Sequence, residues 1–299
     1  MTPNVDVRAF MYHDVRDMKD TAFKTRLGLK SFLSTLQFKN QLKYITERYE
    51  IISAYDLPSV SRGKYAILTF DDGLKDHYNV ASLLADMNIT GAFFIPSNAI
   101  KNRKVIQSHK IQFILASLPE KEVVTKIFEG LKCAKEERKY LWDKFSTSKW
   151  KDNWWTKEMV FTTNILRLHK NRDEITNELF KEYVEQDEAF FCEDFYLKEH
   201  QIKDMVSAGM DIGGHGHLSE PLTSLNQEDD VSSSIKFIRK FHNKDVIYSY
   251  PNGDYNKETI KVMNKYNCKF AFTTKHGDIR TNSRDLELPR HDAPRSLPL

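Results

Sequence analysis

Short apolar runs rich in β-branched and aromatic residues alternate, over the first hundred residues, with longer segments whose apolar positions recur at helical spacing. Residues 7–12 read as a strand, and residues 32–48 as an amphipathic helix with Leu36, Leu42 and Ile45 on its apolar positions. Residues 49–52 read as a second strand and residues 65–70 as a third, the latter apolar enough to be buried on both faces. Residues 75–87 carry Val80, Leu83, Leu84 and Met87 at helical spacing, and residues 91–95 form a further strand stopped by Pro96. A strand, a helix and a strand in succession imply parallel pairing.

Between residues 100 and 195 the pattern changes to charged, glycine-poor sequence with helical periodicity and no strand signal. Ile111, Phe113, Ile114, Leu115 and Leu118 mark one helix, Ile165 and Leu168 a second, and Ile175, Leu179 and Tyr183 a third. This segment reads as a helical insertion within a single domain over residues 1–299. Its Trp150, Trp154 and Trp155 either stack on a sugar ring or belong to the helical core. The alternation then resumes: a helix over 198–208 ended by Gly209, residues 210–214 leading into His215, and a helix over 226–241. A strand over 245–250, a helix over 257–267 and a strand over 270–273 complete the set.

Composition narrows the class. A chain of 299 residues, 40% hydrophobic and 12% aromatic, buries one large core or two smaller ones. A net charge of +3 with interspersed signs argues against nucleic acid, and no apolar stretch is long enough to cross a bilayer. The run Lys101-Asn102-Arg103-Lys104 reads as a solvated loop, close enough to a strand end to meet an anionic substrate. Cys133, Cys192 and Cys268 are widely spaced and odd in number, which predicts neither a disulfide framework nor a thiolate zinc site. With Asp6 and Arg8 in place of an apolar leader, the expectation is a cytosolic protein.

The chemistry concentrates at Thr69-Phe70-Asp71-Asp72-Gly73. Two acids end a buried strand, and in parallel α/β architectures the carboxyl ends of strands carry the site. One carboxylate can bind a metal ion while its neighbour acts as general base; an ordinary Asp-Gly turn is the competing reading.

Met11-Tyr12-His13, Thr69-Phe70-Asp71-Asp72-Gly73, Gly213-Gly214-His215, Tyr250-Pro251-Asn252-Gly253-Asp254-Tyr255 and Leu288-Pro289-Arg290 follow one another in an order that resembles polysaccharide deacetylases. The resemblance is to the NodB-homology group, carbohydrate esterase family four, and covers roughly residues 5–100 and 195–292. It implies an α/β fold, a distorted (β/α) barrel with fewer than eight strands, and metal-dependent hydrolysis of an N-acyl group on an amino sugar. It further implies Asp71 as general base, Asp72 and His215 as metal ligands of a divalent ion such as zinc, and backbone donors near Asn252, after Tyr250, for the oxyanion.

This chain departs from the pattern twice. The second metal histidine, expected four residues after the first, is Ser219; His217 and Glu220 are nearby candidates that do not match the motif. The arginine that many members place before the proline of the third motif is Ser249, and Arg290 is the expected substitute beside Asp71. His291 and His13 are both candidates for the general acid. The expected substrate is a soluble nucleotide-linked or lipid-linked precursor of a surface glycan carrying an acetyl or formyl group, with the insertion forming a lid or wall. The incomplete metal shell motivates a second expectation, a sugar-binding or regulatory protein on a degenerate scaffold. A third is a hydrolase repurposed for another amide or ester. The sequence leaves the oligomeric state open.

Overall fold

The structure, a computed structural model, describes residues 5–17, 32–147, 155–185 and 187–298. Its contacts divide the chain into two compact units, one holding the sheet and the other spanning Val105–Phe191.

In the first unit, strand β1 (Val5–Tyr12) is followed by the short pair β2 (Asp14–Val15) and β3 (Phe32–Leu33). Helix α1 (Thr35–Thr46) starts later than its periodicity predicts, because Ser34 caps it in a reciprocal box with Gln37 and leaves residues 32–33 extended. β4 (Glu50–Ile51), β5 (Gly63–Phe70), α2 (His77–Asp86), β6 (Ala92–Ile95) and α3 (Ser97–Lys101) follow. In the second unit come α4 (Gln107–Ser117), α5 (Glu120–Gly130), α6 (Lys135–Phe145), α7 (Lys157–Leu168), α8 (Arg172–Tyr183) and the start of α9 (Glu188–Phe195). The first unit resumes with α10 (Glu199–Ser207), β7 (Asp211–Gly214), α11 (Gln227–Ile238), β8 (Val246–Ser249), α12 (Lys257–Lys265), β9 (Cys268–Phe272), β10 (His291–Asp292) and α13 (Ala293–Ser296).

Every pairing in the large sheet is parallel, in the order β10-β1-β5-β6-β7-β8-β9, with β4 added on β5. Seven strands along that path, flanked by helices, make the distorted barrel expected from the motifs. Closure is irregular. The segment before β10 bonds to β9 through Leu288, whose N–H donates to Ala271, and then turns to β1, where His291 stands opposite Phe10.

Because side chains alternate across a strand, each strand serves two cores. One face gathers Val7, Ala9, Ile67, Ala92, Phe94, Ile247, Phe270, Phe272 and Leu288 into the barrel interior. The other meets the helices: Tyr12, Phe70 and Phe93 stack in a row at 5.2 and 4.6 Å, beneath α1 and α2. The interior is tight at Gly213, where an added Cβ would lie 2.6 Å from Phe94 Cδ1 and 2.7 Å from the Ile247 carbonyl.

The second unit is all helical and has its own core, with Phe113, Ile127, Phe161, Ile165, Leu166 and Phe191 fully buried. Lys110, nearly buried, is neutralised by Glu188 at 2.8 Å and donates to Asn177 at 2.7 Å. Of the tryptophans considered for sugar stacking, Trp150 and Trp154 lie outside the described residues, and Trp155 is partly buried.

Candidate functional site

The polar residues at the carboxyl ends of the strands continue the interior alternation. Ile67 and Thr69 face inward on β5, so Asp71 does too; Ile247 brings Ser249, Gly213 brings His215, and Leu288 brings Arg290. Four separate stretches of chain thus place an acid, a hydroxyl, an imidazole and a guanidinium at one end of the barrel.

Asp71 is held rigidly. Arg290 Nη1 donates to its Oδ1 at 2.9 Å and Nη2 to its Oδ2 at 2.8 Å, a bidentate pair in which both residues are buried. Ser249 Oγ donates to Asp71 Oδ2 at 3.2 Å and accepts from Arg290 Nη2 at 3.0 Å. The remaining guanidinium donors are also used: Nε to the Thr273 carbonyl at 2.8 Å and Nη1 to Thr69 Oγ1 at 3.2 Å. Burial works against the charge of Asp71, but the Arg290 guanidinium overcomes it and keeps the carboxyl below its ordinary range. The aspartate is an anion at neutral pH.

Asp72 has the wrong parity to face inward from a regular strand. Its backbone instead turns left-handed, φ 76°, with Gly73 at φ 60° after it, and this swings the carboxylate across the barrel end. Its Oδ1 lies 3.4 Å from His215 Nε2. The other ring nitrogen of His215, Nδ1, lies 2.9 Å from the Ser249 carbonyl and donates to it, which turns Nε2 toward Asp72. Burial disfavours a charged His215, yet Asp71 and Asp72 outweigh it and raise its pKa. A proton or another cation is what fits between Asp72 and His215.

Three expected site residues, His217, Tyr250 and His291, are placed differently. His217 does not join His215, because the chain leaves the strand at Gly216, φ 73°, and alternation ends there. Its Nδ1 pairs with Ser97 Oγ at 2.8 Å, and its N–H and that of Leu218 donate to Asp230 of α11 at 2.8 and 2.9 Å. Burial lowers the His217 pKa. Tyr250 has the outward parity of Tyr248: it is fully buried among the α11 and α12 side chains and donates to the Leu286 carbonyl at 3.0 Å. It does not reach the barrel end. His291, one residue after Arg290, also points outward, to Asp278 Oδ1 at 2.8 Å and against the His276 ring at 4.5 Å. It therefore does not face Asp71. Asn252 is exposed in a tight turn at φ 57°, on the loop that leaves β8.

His13 continues the inward parity of Val7 and Ala9, and its charge acts on Asp71. Its carbonyl is fixed by the buried His77, whose Nε2 lies 2.8 Å away. Sequence reasoning missed the hydroxyl of Ser249, Thr69, Ser97 and Asp230. The one available signal was parity, which puts Thr69 and Ser249 on the same face as Asp71.

Among the described residues no three His, Cys, Asp or Glu side chains converge as a metal site. Catalytic zinc takes three protein ligands, and Asp72 with His215 supplies two, so the described residues do not fit a resident zinc ion.

The family model for polysaccharide deacetylases matches residues 161–271, which include His215 and Asn252 but not Asp71, Asp72 or Arg290. YxkH of Bacillus subtilis, described as a polysaccharide deacetylase, is 37% identical over 86 residues, covering 27% of this chain and 31% of that protein. The polysaccharide deacetylase BC0361 of Bacillus cereus aligns with a TM-score of 0.58 at 17% identity, over 96% of this chain and 65% of that one. The chain thus spans less than two thirds of the length of either relative. The deacetylase PplD of Streptococcus pyogenes, solved in complex with acetate, gives 0.58 at 16% identity over 97% of this chain and 92% of its own. IcaB of Ammonifex degensii gives 0.57 at 15% identity over 97% and 93%. Matched segment, motif order and parallel barrel agree in their likeness to polysaccharide deacetylases.

Proposed function

We propose that the chain hydrolyses an N-acyl group, acetyl or formyl, on an amino sugar, with Asp71 as the general base. The observation that carries the reading is the buried Asp71–Arg290 pair: an aspartate kept ionised at the barrel end can accept a proton from an attacking water. Arg290 and Ser249 orient that carboxylate and do not touch the substrate. His13, on the same face, is the proposed donor to the leaving amine, the role His291 loses by pointing outward. The turn at Asn252 contributes backbone donors for the oxyanion. The family match over residues 161–271 and the acetate-bound streptococcal relative support a sugar deacylase.

The reading extends to a soluble nucleotide-linked or lipid-linked amino sugar met in the cytosol. Three buried cysteines in no disulfide are consistent with a reducing compartment. The test is release of free amine from a panel of N-acetyl and N-formyl amino sugars, free, polymeric and nucleotide-linked, with divalent ions supplied. Asp71→Asn is expected to lower turnover by about 10²–10⁴-fold, as loss of a general base does. Absence of turnover across the panel would overturn the proposal. A second reading, a sugar-binding protein on the same scaffold, is favoured by the two-donor Asp72 and His215 pair, and predicts glycan binding without hydrolysis.

A further inference from the structure

Asp72 and His215 converge, and among the described residues the surrounding elements account for why no third ligand joins. His217, the nearest further imidazole in sequence, is tied down by three bonds: its ring to Ser97 Oγ, its N–H to Asp230, and its carbonyl accepting from the Asn98 N–H at 3.0 Å. Turning it toward Asp72 would break the Ser97 bond and part of the junction between α3 and the β7 loop. The position where the second histidine is expected is Ser219, buried and in the left-handed region at φ 56°. A serine hydroxyl is a poor zinc donor, since zinc sites are built from Cys, His, Asp and Glu.

We infer that Asp72 and His215 form an exchangeable two-donor cation site, not a resident zinc site, and that Ser219 is the residue that makes it so. One carboxylate oxygen and one imidazole nitrogen leave most of a coordination shell to water or substrate. That falls short of the three protein ligands of catalytic zinc and leaves the site open to ions that keep several waters, such as magnesium and manganese. The inference concerns the site of the proposed deacylase and rests on reading Asp72 and His215 as its donors. Its test reads heat of binding instead of turnover, so an inactive protein leaves it standing or falling by itself.

The full chain, stripped with chelator and dialysed, is titrated with zinc chloride and with manganese chloride in a calorimeter. Zinc is expected to bind more weakly than micromolar, to leave on dialysis, and to show no specific heat in His215→Ala. Ser219→His is expected to tighten zinc by at least about 100-fold, the upper end of what even an outer-shell partner of a ligand contributes. Histidine tolerates the left-handed backbone better than most residues. One zinc per wild-type chain, retained through dialysis and dependent on His215, would overturn the inference. A folded Ser219→His, checked by circular dichroism, with unchanged zinc affinity would overturn the role given to Ser219. If that variant does not fold, the wild-type titration decides.

Discussion

Arg290 carries an unusual share of the site, because it is a fully buried guanidinium whose donors go to Asp71, Ser249, Thr69 and the Thr273 carbonyl. A buried pair of this kind recovers the cost of desolvating both ions only while both are present. Arg290→Leu should therefore destabilise the protein by about 3–5 kcal/mol at neutral pH, the range for an uncompensated buried charge. The pH dependence has a definite sign. With Arg290 present, the folded pKa of Asp71 lies below its unfolded value of about 3.9, so its contribution is present above that pH and lost as pH falls through the folded value. Without Arg290, burial is opposed only by the charges of His215 and His13 and by the Ser249 hydrogen bond, so the folded pKa rises and the stability that Asp71 contributes above about 3.9 is diminished. Urea unfolding by far-ultraviolet circular dichroism, from about pH 3 to about pH 8, should show the deficit growing with pH. A deficit equal at every pH would mean that Arg290 acts by packing and not through the charge of Asp71.

At the scale of elements, α11 does more than cover the sheet. Asn226 caps it, and Asp230 in its first turn faces inward to receive the N–H groups of His217 and Leu218. The loop after β7 is thereby fixed from a helix that follows it in the chain. Asp230→Ala leaves two N–H groups without their acceptor, which should cost about 1–3 kcal/mol. Amide exchange at His217 and Leu218 should accelerate while β5 and β6 stay protected; unchanged exchange there would remove Asp230 from its positioning role. Such a contact is not legible in a sequence, because helical periodicity marks Asp230 only as one of three acids in a first turn. β5, β6, β8 and β9 were legible as mostly apolar runs between turn signals, whereas β7, Asp211-Ile212-Gly213-Gly214, carries only one large apolar residue and was read as a lead into His215. The two-residue strands β2, β3, β4 and β10 are too short to carry a period. Asp71, Asp72, His215 and Arg290 were found through motif order, and the structure brings these four to one barrel end. His291 and Tyr250 failed on a rule already present in the sequence: adjacent residues of an extended chain face opposite ways, so Arg290 and His291 do not share a pocket.

The whole molecule offers an asymmetry that makes its two units separately observable. All four tryptophans, Trp142, Trp150, Trp154 and Trp155, fall within Val105–Phe191 in the sequence, and the unit holding the sheet has none. Each unit has its own buried core: Phe113, Ile127, Phe161 and Phe191 in the helical one, and the barrel interior around Phe94, Ile247 and Phe272 in the other. Units with separate cores depart from two-state unfolding whenever their stabilities differ. Tryptophan fluorescence should then report only the helical unit, whereas far-ultraviolet circular dichroism sums both. The expected result of a urea titration is a pair of curves that do not coincide, with a single fluorescence step and a broader or two-step dichroism curve. Arg290→Leu supplies the control, since its damage is confined to the barrel: the dichroism curve should shift to lower urea while the fluorescence midpoint holds. Coincident curves that shift together in this variant would show that the helical segment and the barrel unfold as one cooperative unit.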